Sequence, residues 1–231
     1  MAFAWRVQSV EVLVIVLPMI LLIPRHHVPR TLLAAHTTDN AARSEPGWST
    51  REAARTPIFW VIASALAATG MLSTALAFHQ VSILTTRGLS ATEAAANFIP
   101  QTITAILATL FVGAVAHRLD PRLALAGSMA LLAAALCFLP VIDGLGLAVV
   151  YGLILGAAGG SIRAIEPIAL AHYFGTDSIG GIRGIITSIN VGSTALGPIL
   201  FSLGRDITGS YTTPSLVAAV VPVAVGVLAM V

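Results

Sequence analysis

The stretch LGLAVVYGLILGAAGGSIRAIEPIALAHYF, residues 145 to 174, decides the fold. Arg163 and Glu166 are its only Asp, Glu, Lys or Arg residues. Crossing a ~30 Å hydrocarbon core takes roughly 17 to 25 mostly apolar residues, so the run is long enough to span a membrane. Lipid offers no water to satisfy backbone groups, which makes the run a helix and not a strand. Gly152, Gly156, Gly159 and Gly160 resemble a small-xxx-small pattern that lets two helices approach closely. No Lys follows them, so they form no phosphate loop. Tyr173 and Phe174 belong at the membrane border, where aromatic side chains concentrate.

Arg163 precedes Phe174 by 11 residues, about 16 Å at 1.5 Å per residue, which places it near the membrane midplane. An Arg there costs about 2.5 to 3.5 kcal/mol on insertion scales, so it is expected to face a cavity or a partner. Glu166 lies one turn away, and that spacing predicts a single Arg163–Glu166 electrostatic unit. Two roles are open for it: a substrate-anion or proton-coupling site, or a structural ion pair locking this helix to its neighbours.

Working outward, further apolar stretches at 7 to 23, 58 to 78, 94 to 116, 123 to 142, 185 to 203 and 214 to 231 bring the expected total to about seven transmembrane helices. The fold class is all-α integral membrane, divided into a helix at 1 to 23, a loop at 24 to 56 and a six-helix bundle at 57 to 231. Glu11 inside the first run, and no small-residue cleavage site before Arg25, favour a retained span over a secretory signal. Pro18, Pro100, Pro140, Pro167, Pro198 and Pro222 fall within or at the ends of spans and read as kinks, since neighbouring helices can satisfy the freed carbonyls.

Composition agrees: 57% of the 231 residues are hydrophobic and 10% charged, with mean hydropathy +0.92, where a soluble domain carries about 25% charged residues. Such a chain cannot hide its apolar residues in one core, so a lipid bilayer is an expected partner. All 12 basic residues are Arg, which removes the Walker and Schiff-base lysines, and a net charge of +2 is too small to imply nucleic acid. Cys137 stands alone in an apolar run and reads as a buried thiol outside any disulfide. Arg25, Arg30, Arg43, Arg51, Arg55, Arg118, Arg122 and Arg183 fall on one side of the alternating loops, against Arg6, Arg87 and Arg205 on the other. The positive-inside rule puts the 24 to 56 loop in the cytoplasm. His26, His27 and His36 in that loop lack the Cys or carboxylate spacing of a metal site, and neither a metal nor a cofactor is expected.

Polar stripes mark three helix faces. Asn97, Gln101 and Thr104 recur at i, i+4 and i+7; Thr69, Ser73 and Gln80 form a second stripe with His79 beside it, and Asn190 and Thr194 a third. Each group is either interhelical glue, worth about 0.6 kcal/mol per bond, or part of one cavity. His79 and His172 could titrate near neutral pH, or simply be satisfied at the membrane border. No Ser/His/Asp set, HExxH or paired intramembrane Asp supports a hydrolase, and the chain is not expected to be an enzyme.

This order of spans resembles the second half of a major facilitator superfamily transporter with the last helix of the first half attached. GAVAHRLDPR carries Gly113, Arg118 and Arg122 and resembles that superfamily's cytoplasmic loop signature, with His117 at the usual Asp and Asp120 at the second Gly. AWR at 4 to 6, AHYFG at 171 to 175, a Gly-rich loop ending IRG at 182 to 184, LGP at 196 to 198 and RDITGSY at 205 to 211 resemble the monocarboxylate and oxalate/formate-like branch. The resemblance implies a secondary transporter, here a fragment or half, moving a small solute by alternating access, with Arg163 favouring an organic anion. It implies a multi-pass protein of the cell's inner membrane whose partner is a missing N-terminal half or a second copy, and a last helix clipped at Val231. The alternatives are a truncated, non-transporting membrane protein and, third, an intramembrane enzyme.

Overall fold

Pro57 and Pro121 show how this chain begins its helices. Each occupies a first turn, where a backbone N–H would lack an intrahelical partner, so proline's missing donor does no harm. Thr56 caps the first by accepting from Phe59 N at 3.4 Å, and Asp120 caps the second by accepting from Arg122 N at 2.9 Å. The computed structural model describes residues 48 to 231. It is helical, with no strand among the described residues. A short α1 (Thr50–Ala53) precedes α2 (Pro57–Thr85), α3 (Ala91–Ala96), α4 (Phe98–Val115), α5 (Pro121–Phe138), α6 (Leu145–Phe174), α7 (Ile179–Thr208) and α8 (Thr212–Leu228).

Taking α3 with α4, and α5 with the 3-10 turn Leu139–Val141, 5 spans are long and apolar enough to cross a membrane. At 17 residues, α8 is shorter. Length and composition thus mark a multi-pass membrane protein. The expected span at 7 to 23, His26, His27, His36 and the AWR motif lie outside the described residues.

Several boundaries shift for local reasons. The run expected at 94 to 116 is broken at Asn97, because Pro100 has no N–H to offer the Ala96 carbonyl. The stretch at 180 to 184, expected as a Gly-rich loop, is already helical from Ile179, so Arg183 stands on α7 and not in a loop. Helix ends fall instead at glycines with positive φ, Gly175 (71°) after α6 and Gly209 (70°) after α7, a geometry that favours residues without Cβ. Cys137, expected to be buried, is exposed on α5. In a membrane helix the outer surface meets lipid, so an apolar run has no inward bias for a thiol.

α4 lies along α6, α7 lies along α2, and α5 packs against both α6 and α8. Phe59, Leu72, Met129, Leu136, Tyr151 and Phe174 are among the fully buried side chains. Glycine makes the two close seams. A Cβ on Gly156 or Gly160 would lie 2.2 Å from the carbonyl oxygen of Gln101 or Ala105 on α4, and one on Gly197 would lie 2.0 Å from that of Met71 on α2. Close backbone approach gives dispersion contacts that lipid cannot match. α4 has no buried residue along its length, so this seam is its main attachment. At one end of the bundle Trp48 meets Phe174 edge-on with centroids 6.3 Å apart. Arg87 reaches Pro140 and Thr212 at the other end, so successive loops alternate between the ends as expected.

Candidate functional site: a cavity beside the α4–α6 seam

Gly152, Gly156 and Gly160 follow one another at i, i+4 and i+8 and form the stripe on which α4 rests. Gly159 is offset from that stripe and meets nothing within 4 Å. There the surface opens into a cavity of about 410 Å³ bordered by Ser73 of α2, Gln101, Thr102 and Thr109 of α4, and Gly159 and Arg163 of α6. Of the candidate residues on the polar stripes, Ser73 and Gln101 border this cavity together with Arg163. The guanidinium of Arg163 is exposed and makes no hydrogen bond or ion pair among the described residues.

The Arg163–Glu166 unit does not form. Glu166 Oε1 instead accepts from Arg183 Nε of α7 at 3.1 Å. Residues three apart on a helix are offset by about 60°. Glu166 is turned to the α7 side, while Arg163 borders the cavity beside α4. Arg183 had been read as a loop residue, so spacing within α6 alone could not reveal it as the competitor.

Other expected site residues separate from the cavity. Asn97 is 2% exposed and its amide abuts Gly152, while Asn190 Oδ1 abuts Gly70. Both are seam residues. Thr104 and Thr69 bond the carbonyls of Pro100 and Ala65 in their own helices, at 2.9 and 2.8 Å. Thr194 likewise bonds Val191 O at 2.6 Å. Gln80 is fully buried. Thr102 and Thr109 were missed because the stripe drawn through Asn97, Gln101 and Thr104 is tilted from the actual face. Positions 101, 102, 105 and 109 follow i, i+1, i+4 and i+8, a pattern visible in the sequence had the stripe been centred on Gln101. Thr109 Oγ1 donates to Gly160 O at 3.0 Å and stitches α4 to α6. Gln101 Oε1 is buried without a partner. A cation at membrane depth that shares its cavity with the Ser73 hydroxyl can hold an anion, whereas Gln101 Oε1 is an acceptor and offers an anion nothing.

At the bundle end that carries Trp48, Arg118 and Arg122 border a pocket of about 640 Å³ with Asp120, His172 and Tyr173. Gly113 of the same motif is exposed with open space at its Cβ position. His79, as expected of a satisfied border histidine, is held: Nε2 lies 3.1 Å from Pro198 O, and Nδ1 lies 3.3 Å from Tyr211 Oη. No family model and no curated protein matches the chain.

Proposed function

We propose that this bundle is one half of a secondary transporter that moves a small organic anion by alternating access across the cell's inner membrane, with Arg163 as the anion's counter-charge. The observation that carries the reading is Arg163, a cation at membrane depth that faces an open cavity, lined otherwise by Ile106, Leu110 and Leu155 as well as Ser73 and Gln101, and that pairs with no carboxylate among the described residues. Exposing that charge to lipid is unfavourable by several kcal/mol, so its environment is water or a solute. Ser73 adds a hydroxyl donor on one wall, while the hydroxyls of Thr102 and Thr109 already donate to Phe98 O and Gly160 O and can only accept. The opposite wall then comes from a second six-helix bundle, as in transporters built from two halves related by an axis along the membrane normal. The loop, LGP and RDITGSY motifs that resemble the major facilitator superfamily support the same reading.

The test is uptake of labelled small mono- and dicarboxylates into proteoliposomes containing this chain with a candidate partner bundle. Uptake should be saturable and lost in Arg163→Gln. Unchanged uptake in that variant would remove the role given to Arg163.

A further inference from the structure

At the turn between α7 and α8 the chain brings an apolar groove and a cationic pocket together. Gly204 lies against Pro214, whose Cγ would be 2.7 Å from a Cβ at that position, so the two helices touch at their joined ends. Alongside, a groove of about 390 Å³ is lined by Leu200, Phe201 and Ile207 of α7, Val217 and Val221 of α8, and Met71 of α2. On α7 its lining runs from Gly197 to Thr208, which is 11 residues or about 16 Å. That is the thickness of one leaflet, half of a ~30 Å core.

Thr208 and Thr213 border the groove, and Gly209, Ser210, Tyr211 and Thr212 between them line a second pocket of about 210 Å³. Arg87 and Arg205 lie in its wall. Arg87 donates to Pro140 O at 3.1 Å and to Thr212 Oγ1 at 2.7 Å, two of its five N–H groups, and its charge meets no carboxylate among the described residues. Arg205 lies 5.2 Å from the centroid of the Tyr211 ring, which fixes it without neutralising it. None of Glu93, Asp143 and Asp206, the acidic residues at this end of the bundle, lines the pocket. Tyr211 is held in turn, its hydroxyl donating to Ser82 Oγ at 3.1 Å.

We propose that this corner is a binding site for one anionic phospholipid, with an acyl chain in the α7–α8 groove and the phosphate against Arg87 and Arg205. Two guanidinium groups at the membrane border favour a phosphodiester, which they can hold through charge-assisted hydrogen bonds. The groove ties the phosphate to a chain of leaflet length, which selects a lipid over a free anion. The inference does not depend on Arg163 or on transport.

Native mass spectrometry of the full chain, released from nanodiscs of phosphatidylcholine with or without phosphatidylglycerol, tests it. One phosphatidylglycerol should be retained in preference to phosphatidylcholine. Arg205→Gln should lower that retention about tenfold, the loss expected for one charge-assisted hydrogen bond, with melting in pure phosphatidylcholine unchanged. Ala218 also lines the groove, and Ala218→Phe, which fills it, should lower retention without touching either Arg. Equal retention of the two lipids, or wild-type retention in Arg205→Gln, would overturn the proposal. So would displacement of the lipid by equimolar glycerol phosphate, since that would show a headgroup site with no use for the groove.

Discussion

Glu166 on α6 and Arg183 on α7 form an ion pair at 3.1 Å, with side-chain exposures of 16% and 56%. The contact joins two helices that otherwise meet little along their length. Because Arg183 is more than half exposed, the pair should contribute about 1 kcal/mol and not the several expected of a fully buried one. In a double-mutant cycle followed by denaturant or thermal unfolding in detergent, Glu166→Ala and Arg183→Ala should each destabilise, and the combination should be no worse than either alone. Strictly additive losses would show that the pair contributes nothing.

Arg163 should behave in the opposite way. With no partner among the described residues, Arg163→Gln removes a charge and breaks no contact, so stability should change by less than about 0.5 kcal/mol while carboxylate uptake disappears. A large stability loss comparable with that of Arg183→Ala would mark it as a structural residue.

The glycine stripe makes a sharp contrast. Gly160→Val would drive a side chain into the carbonyl of Ala105 and force α4 away, whereas Gly159→Ala meets open space. We expect the first to lower stability by about 1 to 3 kcal/mol and the second to be nearly silent, as read by melting in detergent.

Acidification should loosen α1. Ser49 Oγ and Ser49 N both donate to Glu52 Oε2, at 2.6 and 2.9 Å, and these bonds, the side-chain one first, hold the carboxyl below its usual value of 4.5. A lowered folded pKa means that the contribution is whole above 4.5 and is lost as the pH falls through the folded value. A carbon-NMR titration of Glu52 should give a midpoint below 4.5 that moves up toward the ordinary value in Ser49→Ala, which keeps the backbone bond and loses the side-chain one. Equal midpoints in the two proteins would dismiss the capping box as the cause.

Sidedness can be read with a thiol probe in a Cys137→Ser background. Arg51, Arg55, Arg118, Arg122 and Arg183 gather at one end of the bundle, against Arg87 and Arg205 at the other. The positive-inside rule then makes Ser210→Cys label from outside intact cells and Arg55→Cys resist. The reverse pattern would invert the orientation.

Much of this fold is written locally. Asp143 and Gly144 on one side and Gly175 on the other bound a run that is mostly apolar but carries Arg163, Glu166 and His172, and α6 occupies those residues, Leu145–Phe174. The start of α7 was hidden because Gly180, Gly181 and Gly184 look like a loop, although membrane helices tolerate such residues where soluble ones do not. At the site, depth within the span singled out Arg163, since distance along one helix is a one-dimensional quantity. Its lack of a carboxylate partner was not legible, because the pairing of Glu166 with Arg183 depends on how two separate helices lie together. The same limit explains Asn97 and Asn190, which look like cavity residues in sequence and are instead seated against Gly152 and Gly70 of neighbouring helices.

The α4–α6 seam also dictates an order of events during synthesis. Gln101 emerges from the ribosome 55 residues before Gly156 (156 − 101), a delay of about 3 to 11 s at 5 to 20 residues per second. For that interval α4, with Asn97 at its start and Gln101 within it, lacks the glycine surface that later receives it, and no other long contact substitutes for that surface. Its two amides make release into lipid less favourable before that surface exists. The helix should wait beside the insertion machinery until α6 arrives, and crosslinks from position 101 of the growing chain should pass from that machinery to α6 only once Gly160 has cleared the exit tunnel.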